Sequence, residues 1–447
     1  MTINQENKIT ISGLAMGGAG IGKLNNYAVF VPGAVPDDEL EIALVQKKKN
    51  YAIGKIMRIL KPSPDRTTPK CPLFNQCGGC QWQHIDYPAQ LKYKKQLVAD
   101  SLERIGKITG MNIADTIGMD DPWHYRNKVQ YPVAFERGEA IIGYYQERTH
   151  HVINIEECPV AHPDLTRLMN SVRKIIRKYR IRVYNEGAGR GLLRHLIGRI
   201  GFATNEMLLG LVINGAEIPD AGRMTEELTQ LCGARLVGIL QNINRDQTNV
   251  ILGAKSEILF GDPQFIEQLG ALRFKIALGS FFQINPVQTV KLYNKIIELA
   301  ELSGKEIVVD AYAGVGPIAL WIAPHVRKII GIEENTLAVA DAKDNARLNK
   351  LKSIEFIEGR VEAVLPKIEK PDVLILDPPR SGCSASVSEA ILQISPKKII
   401  YVSCDATTLA RDLRIFLDGG YKLEIIQPID MFPHTYHVET IVRLGKQ

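Results

Sequence analysis

At 447 residues the chain is too long for one hydrophobic core, so two or three domains are expected. Apolar residues make up 45% and charged residues 23%, which excludes disorder and a collagen-like fibre. The net charge of +6 permits nucleic-acid binding without requiring it, and seven cysteines in so long a chain point to metal ligation or catalysis rather than disulfides. The stretch MTINQENKIT lacks an apolar signal core and no apolar run reaches membrane-spanning length, so a cytoplasmic protein with no membrane partner is expected.

Residues 8 to about 60 alternate apolar and polar positions in short runs, Lys8 to Ser12, Tyr27 to Val31, Leu40 to Val45 and Tyr51 to Met57. Glycine, proline and acidic clusters separate the runs, and the pattern predicts a small all-β barrel. The turn Gly17-Gly18-Ala19-Gly20 and the run Lys47-Lys48-Lys49 supply flexible loops and a basic rim, as on nucleic-acid-binding OB-like barrels, although any solvated barrel carries surface lysines. Lys61-Pro62-Ser63-Pro64 reads as a linker.

Cys71, Cys77 and Cys80 follow in a C-x5-C-x2-C run, joined far downstream by Cys158. Four thiolates can enclose one metal centre. Zinc sites usually come as two close pairs, whereas three clustered cysteines with a distant fourth favour a [4Fe-4S] cluster. A radical S-adenosylmethionine enzyme would need a shorter first gap and one iron left open, so a structural cluster is the expectation. Leu91, Val98, Leu102 and Ile105 recur at helical spacing and predict an amphipathic helix over 88–105, capped by Gly106. Residues 120 to 270 alternate in Val129 to Val133, Ala140 to Tyr144 and Leu208 to Val212, which predicts an antiparallel sheet with helices on one side and shows no catalytic signature.

From about residue 290 strands and helices alternate, implying a doubly wound parallel sheet. Ile307 to Ala311 reads as a buried strand, followed by the turn Tyr312-Ala313-Gly314-Val315-Gly316 and a helix after Pro317. The next strand ends in Glu333, placed to accept both hydroxyls of a ribose. The turn lacks the third glycine of a dinucleotide fingerprint, which disfavours a nicotinamide cofactor. S-adenosylmethionine has no phosphate to hold and suits Asp310, Tyr312 and Glu333. A later strand runs into Asp377-Pro378-Pro379-Arg380, and another delivers Ser403-Cys404-Asp405 to the same sheet edge. Cys232 and Cys383 read as small buried hydrophobes. Cys404 instead lies beside the cofactor turn and at a helix N-terminus, a position expected to favour thiolate.

DPPRSG, IIYVSCDATT and IDMFPHTYHVE together resemble the signature segments of the RNA uracil-C5-methyltransferase family, and the likeness spans most of the chain. It implies that Cys404 is the nucleophile, Glu439 the proton acceptor, and that Gln283, Tyr312, Glu333 and Asp377 bind S-adenosylmethionine. Uracil C5 is too weak a nucleophile to take a methyl group directly, so a thiolate must first add at C6, and a base must later remove the C5 proton. Members commonly have proline where Ala406 stands. The barrel is similar to the TRAM domain of these enzymes, and the cysteine spacing, with GGC before Gln83-His84, is similar to that of their iron–sulfur subset.

The expected architecture is therefore multidomain: a TRAM/OB-like β-barrel over 1–62, a central α+β domain with the Cys cluster over 63–275, and a doubly wound, Rossmann-like methyltransferase domain over 276–447. The expected partner is RNA, 23S ribosomal RNA first and the T-loop of transfer RNA second, met by a monomer. An amino-group methyltransferase would carry an aromatic residue where Arg380 stands and would need no cysteine. A non-catalytic RNA-binding module would not explain Cys404 with Glu439.

Overall fold

The computed structural model describes residues 6–446. Five strands, β1 (Glu6–Leu14), β2 (Gly20–Leu24), β3 (Tyr27–Val31), β4 (Glu39–Lys47) and β5 (Tyr51–Lys61), close into a barrel in the order β1-β2-β3-β5-β4. Their alternation puts Ile9, Ile11, Val29, Val31, Leu40, Ile42 and Leu44 inside. β2 escaped the sequence reading because it is glycine-rich and short. Asn25 and Asn26, both with positive φ, make the tight turn that pairs it with β3. The Lys61–Pro64 stretch is no free linker. Buried Asp38 accepts the Ser63 amide at 2.9 Å and pairs with Arg66 at 2.6 Å, pinning the exit of the barrel.

Helix α1 (Tyr87–Arg104) lies where the apolar periodicity placed it. Gly106 does not cap it in a left-handed conformation. A Cβ there would lie 2.8 Å from the Ala410 carbonyl, so the glycine permits close approach to a later helix instead. β6 (Lys128–Glu136), β7 (Glu139–Ile142), α2 (Pro163–Lys178), β8 (Leu193–Ile200), β9 (Met207–Ile213), α3 (Ala221–Cys232), β10 (Leu236–Ile243) and β11 (Lys255–Gly261) build the central unit. Its six-stranded sheet runs β11-β10-β9-β8-β6-β7. The sheet is mixed rather than antiparallel, because α3 carries the chain across from β9 to a parallel β10. A hairpin, β12 (Gln264–Leu269) and β13 (Leu272–Ala277), leads onward.

The C-terminal unit comprises α4 (Pro286–Ala300), β14 (Ile307–Ala311), α5 (Pro317–Ile322), β15 (Lys328–Glu333), α6 (Thr336–Leu348), β16 (Ile354–Glu358), α7 (Val361–Val364), β17 (Val373–Leu376), α8 (Ala385–Ile394), β18 (Lys398–Ser403), α9 (Ala406–Asp418), β19 (Tyr421–Ile429) and β20 (Glu439–Lys446). The sheet order is β16-β15-β14-β17-β18-β20-β19, with β20 antiparallel to both neighbours and the rest parallel. The order reverses between β14 and β17, the switch point at which such sheets open a crevice. Val308 faces one apolar cluster and Val309 the other, as strand alternation demands. The first cluster reaches Ile197, Leu208 and Val212 of the central sheet; the second takes in Val98 and Leu102 of α1. The C-terminal sheet thus shares its core with the preceding region. Among the described residues, no helix is long and apolar enough to cross a membrane.

Candidate active site

The carboxyl ends of β14, β15, β17 and β18 meet at the switch point. After β14, Tyr312 adopts φ +71, with Gly314 and Gly316 also left-handed, and this turn brings backbone amides toward β15. Glu333 closes the turn: one carboxylate oxygen accepts the Gly314 amide at 3.0 Å and the other the Asn335 amide at 2.9 Å. Gln283 is buried in the loop before α4, and its contact is with the central unit, whose Asn127 side chain donates to the Gln283 carbonyl at 3.1 Å.

A line of acids runs from this turn to the cysteine. Buried Asp310 is held well above the ordinary carboxylate range by burial and by neighbouring Asp377, with Glu333 adding to the effect. Burial also raises Asp377, and burial with the charge of Asp377 raises Glu439. Glu439 is the first residue of β20, opposite Ile429 of β19. Cys404 follows β18, half-buried, with Glu439, Arg380, Asp377 and Asp405 as charged neighbours.

The thiolate expected from the helix position is not favoured in the unliganded protein. Burial and the charge of Glu439 push the Cys404 thiol up to about 12, opposed by Arg380. The start of α9 cannot lower it much, because the Asp405 side chain already takes the Thr407 and Thr408 amides at 2.8 and 3.2 Å. The loop bearing Arg380 is stapled to α9: Thr408 Oγ1 donates to the Arg380 carbonyl at 3.1 Å, and Asp412 accepts the Cys383 amide at 2.8 Å.

Residues 240–447 match the family model for tRNA (uracil-5-)-methyltransferase, from the end of β10 through the C-terminal unit, and residues 2–57 match the TRAM domain. An uncharacterized RNA methyltransferase of Halalkalibacterium halodurans is 42% identical over 98% of this chain and 96% of its own length. One of Clostridium acetobutylicum is 43% identical over 99% and 97%. The chain belongs to the RNA (uracil-5-)-methyltransferase family. Among solved structures, tRNA (uracil-54, C5)-methyltransferase of Pyrococcus abyssi in complex with S-adenosyl-L-homocysteine matches with a TM-score of 0.79 and 26% identity, covering 98% of this chain and 100% of that one.

In this methyltransferase Cys71, Cys77, Cys80 and Cys158 line one cavity together with Arg126 and Tyr144. All four are free thiols. Burial pushes Cys77 up to about 12 and Cys80 up to about 11, and each thiol's neighbours among the other three add to the effect. Among the described residues, no three His, Cys, Asp or Glu side chains converge closely enough to hold a single metal ion. Four thiols with the Arg126 cation beside them are the donor chemistry that either a zinc ion or an iron–sulfur cluster would use.

The sequence reading overlooked the support of the loop between β19 and β20. Asp430 pairs with Lys94 of α1, both fully buried, and accepts the Tyr87 hydroxyl at 3.0 Å. Tyr87, Gln90 and Lys94 are three and four residues apart, a polar strip on one helix face that could have signalled a buried partner.

Proposed function

We propose that the enzyme methylates C5 of a uridine in RNA through a covalent Cys404 adduct, using S-adenosylmethionine. The observation that carries this reading is Cys404 set between Arg380 and the buried carboxyls Asp377 and Glu439, at the sheet edge where the Tyr312–Gly316 turn meets Glu333.

S-adenosylmethionine supplies the methyl group from a sulfonium that leaves as a neutral thioether. Asp310, Asp377 and Glu439 are buried carboxyls held toward their neutral forms in the crevice, and a bound cation would draw them toward ionisation; Gln283, Tyr312, Glu333 and Asp377 are the residues proposed to hold that cofactor. Cys404, only partly buried, gives its proton to solvent and bonds uracil C6; the C5–C6 π pair becomes a C4–C5 π bond and the C4 carbonyl pair moves onto O4. Arg380 offsets the negative charge of that enolate. The pair returns through C5 to the methyl carbon. Glu439 then takes the C5 proton; the pair left behind re-forms the C5–C6 double bond and expels the Cys404 thiolate.

The RNA is proposed to be 23S ribosomal RNA, on the combination of a TRAM barrel with a four-cysteine set. The similarity to the archaeal transfer-RNA enzyme, which extends over the barrel, favours the T-loop of transfer RNA as the second reading. We further propose a [4Fe-4S] cluster on Cys71, Cys77, Cys80 and Cys158.

RNA containing 5-fluorouridine should trap a denaturation-resistant adduct with the wild-type enzyme and none with Cys404→Ala; no adduct with wild type would sink the mechanism. Mapping the modified base after expression in a host lacking its own enzymes decides between the RNAs. Anaerobically purified protein should contain iron; zinc without iron would overturn the cluster.

A further inference from the structure

Five consecutive carbonyls in the β19–β20 loop are each held by a donor from outside the catalytic sheet. Asp430 O accepts from the Gln288 side chain at 2.9 Å and Met431 O from the Asn285 side chain at 3.0 Å. Phe432 O accepts from Lys94 Nζ at 3.1 Å and Pro433 O from the Tyr125 hydroxyl at 3.0 Å. His434 O accepts the amides of Gln81 and Trp82, at 3.0 and 2.9 Å, immediately after Cys80. Gln90 completes the clamp. Its side-chain oxygen accepts the His434 amide at 3.0 Å, and its nitrogen lies 3.2 Å from His434 Nδ1.

Hairpin loops ordinarily leave their carbonyls to water. Here Asp430, Met431, Pro433, His434 and Thr435 are buried, and Trp123 stacks on His434 at 3.9 Å. So many donors on so short a segment fix where its side chains point. The loop carries Phe432, Tyr436 and His437 as half-buried rings in mutual contact, with centroids 6.1 Å apart for Phe432 and His437 and 4.2 Å for Tyr436 and His437. Ser403 of β18 pairs with Thr440 of β20, so Cys404 and the His437 end of the loop leave adjacent strands at the same edge, and Arg380 and Asp405 are among the charged neighbours of both. A uracil lifted from its stack needs such a wall, since aromatic faces are what hold splayed bases.

We propose that Lys94, Gln90 and Tyr125 are positioning residues for the addition step, holding the loop so that Phe432 and His437 wall the space over Cys404 into which the target uracil turns. This rests on the uracil reading above and assigns part of the active site to the N-terminal half of the chain.

Lys94→Met would strand a buried Asp430 and endanger folding, so the test uses Tyr125→Phe, Gln90→Met and the double variant in the full chain. The measurements are the single-turnover rate of adduct formation with 5-fluorouridine RNA, the dissociation constants for RNA and for S-adenosylhomocysteine, and Tm. Each single change should slow adduct formation about 3- to 10-fold, the value of one lost hydrogen bond, and the double change about 10- to 100-fold. Both dissociation constants should move less than about 3-fold. Unchanged adduct rates would overturn the proposal, as would a parallel fall in rate, cofactor affinity and Tm, which a purely structural role would produce. Wild-type protein that forms no adduct would overturn the uracil reading and this proposal with it.

Discussion

Cys404 holds its proton at neutral pH in the unliganded protein, because burial and the charge of Glu439 raise the thiol. Methyl transfer should therefore quicken as pH rises, both through the raised range of Glu439 and further toward the thiol, as measured by single-turnover rates across pH. Glu439→Gln should lower the rate of product release about 10²- to 10⁴-fold while leaving the adduct in place, visible as a gel-stable complex with ordinary uridine RNA. Stability runs the other way. Glu439 and Asp377 bind protons more tightly folded than unfolded, so the folded state gains most below the ordinary carboxylate range and loses stability as pH rises through the raised values. Glu439→Gln removes part of that loss: its Tm should exceed the wild-type value at about pH 8 and match it near about pH 4, by calorimetry. At this scale sequence spacing identified the acids and the cysteine, but the expected ease of ionising Cys404 depended on which groups folded around it.

Among the elements, α1 shows what periodicity can and cannot deliver. Its apolar stripe was readable from Leu91, Val98 and Leu102, because burial of a helix face leaves a 3.6-residue period, but Ile105, read as part of the same stripe, sits exposed at the helix end. The polar residues Tyr87, Gln90 and Lys94 stand on the N-terminal part of the same buried side, and the partner of Lys94, Asp430, lies 336 residues away in sequence. Gly106 gives a direct check on the helix contact. Gly106→Ala places a methyl group 2.8 Å from the Ala410 carbonyl, so it should destabilise the protein by about 1–3 kcal/mol in urea unfolding. A true left-handed cap would lose about as much through backbone strain, but Gly106→Asn would then be tolerated better than Ala; for a contact glycine it should be worse. β2 was missed for a simpler reason: GIGKL has two glycines in five residues, which leaves too few side chains for alternation to stand out.

At the scale of the whole molecule, the exposed run Lys47, Lys48 and Lys49 between β4 and β5 places three cations on one rim of the barrel. Replacing all three by glutamine should weaken RNA binding and flatten the dependence of log Kd on log salt by about 2, leaving the single-turnover rate at saturating RNA unchanged. An unchanged slope would place the RNA elsewhere. By itself the sequence determined the local periods, the barrel followed by a doubly wound sheet, and the residue types that its signature segments carry, because these depend on neighbours a few positions apart. The tertiary structure alone decided which acids share one field, that a predicted linker is pinned by Asp38, and that α1 and the Gln81–Trp82 amides hold the loop ahead of Glu439. These contacts join segments from about 25 residues apart, as for Asp38 and Ser63, to more than 300 apart, as for Lys94 and Asp430, and only the folded core brings them together.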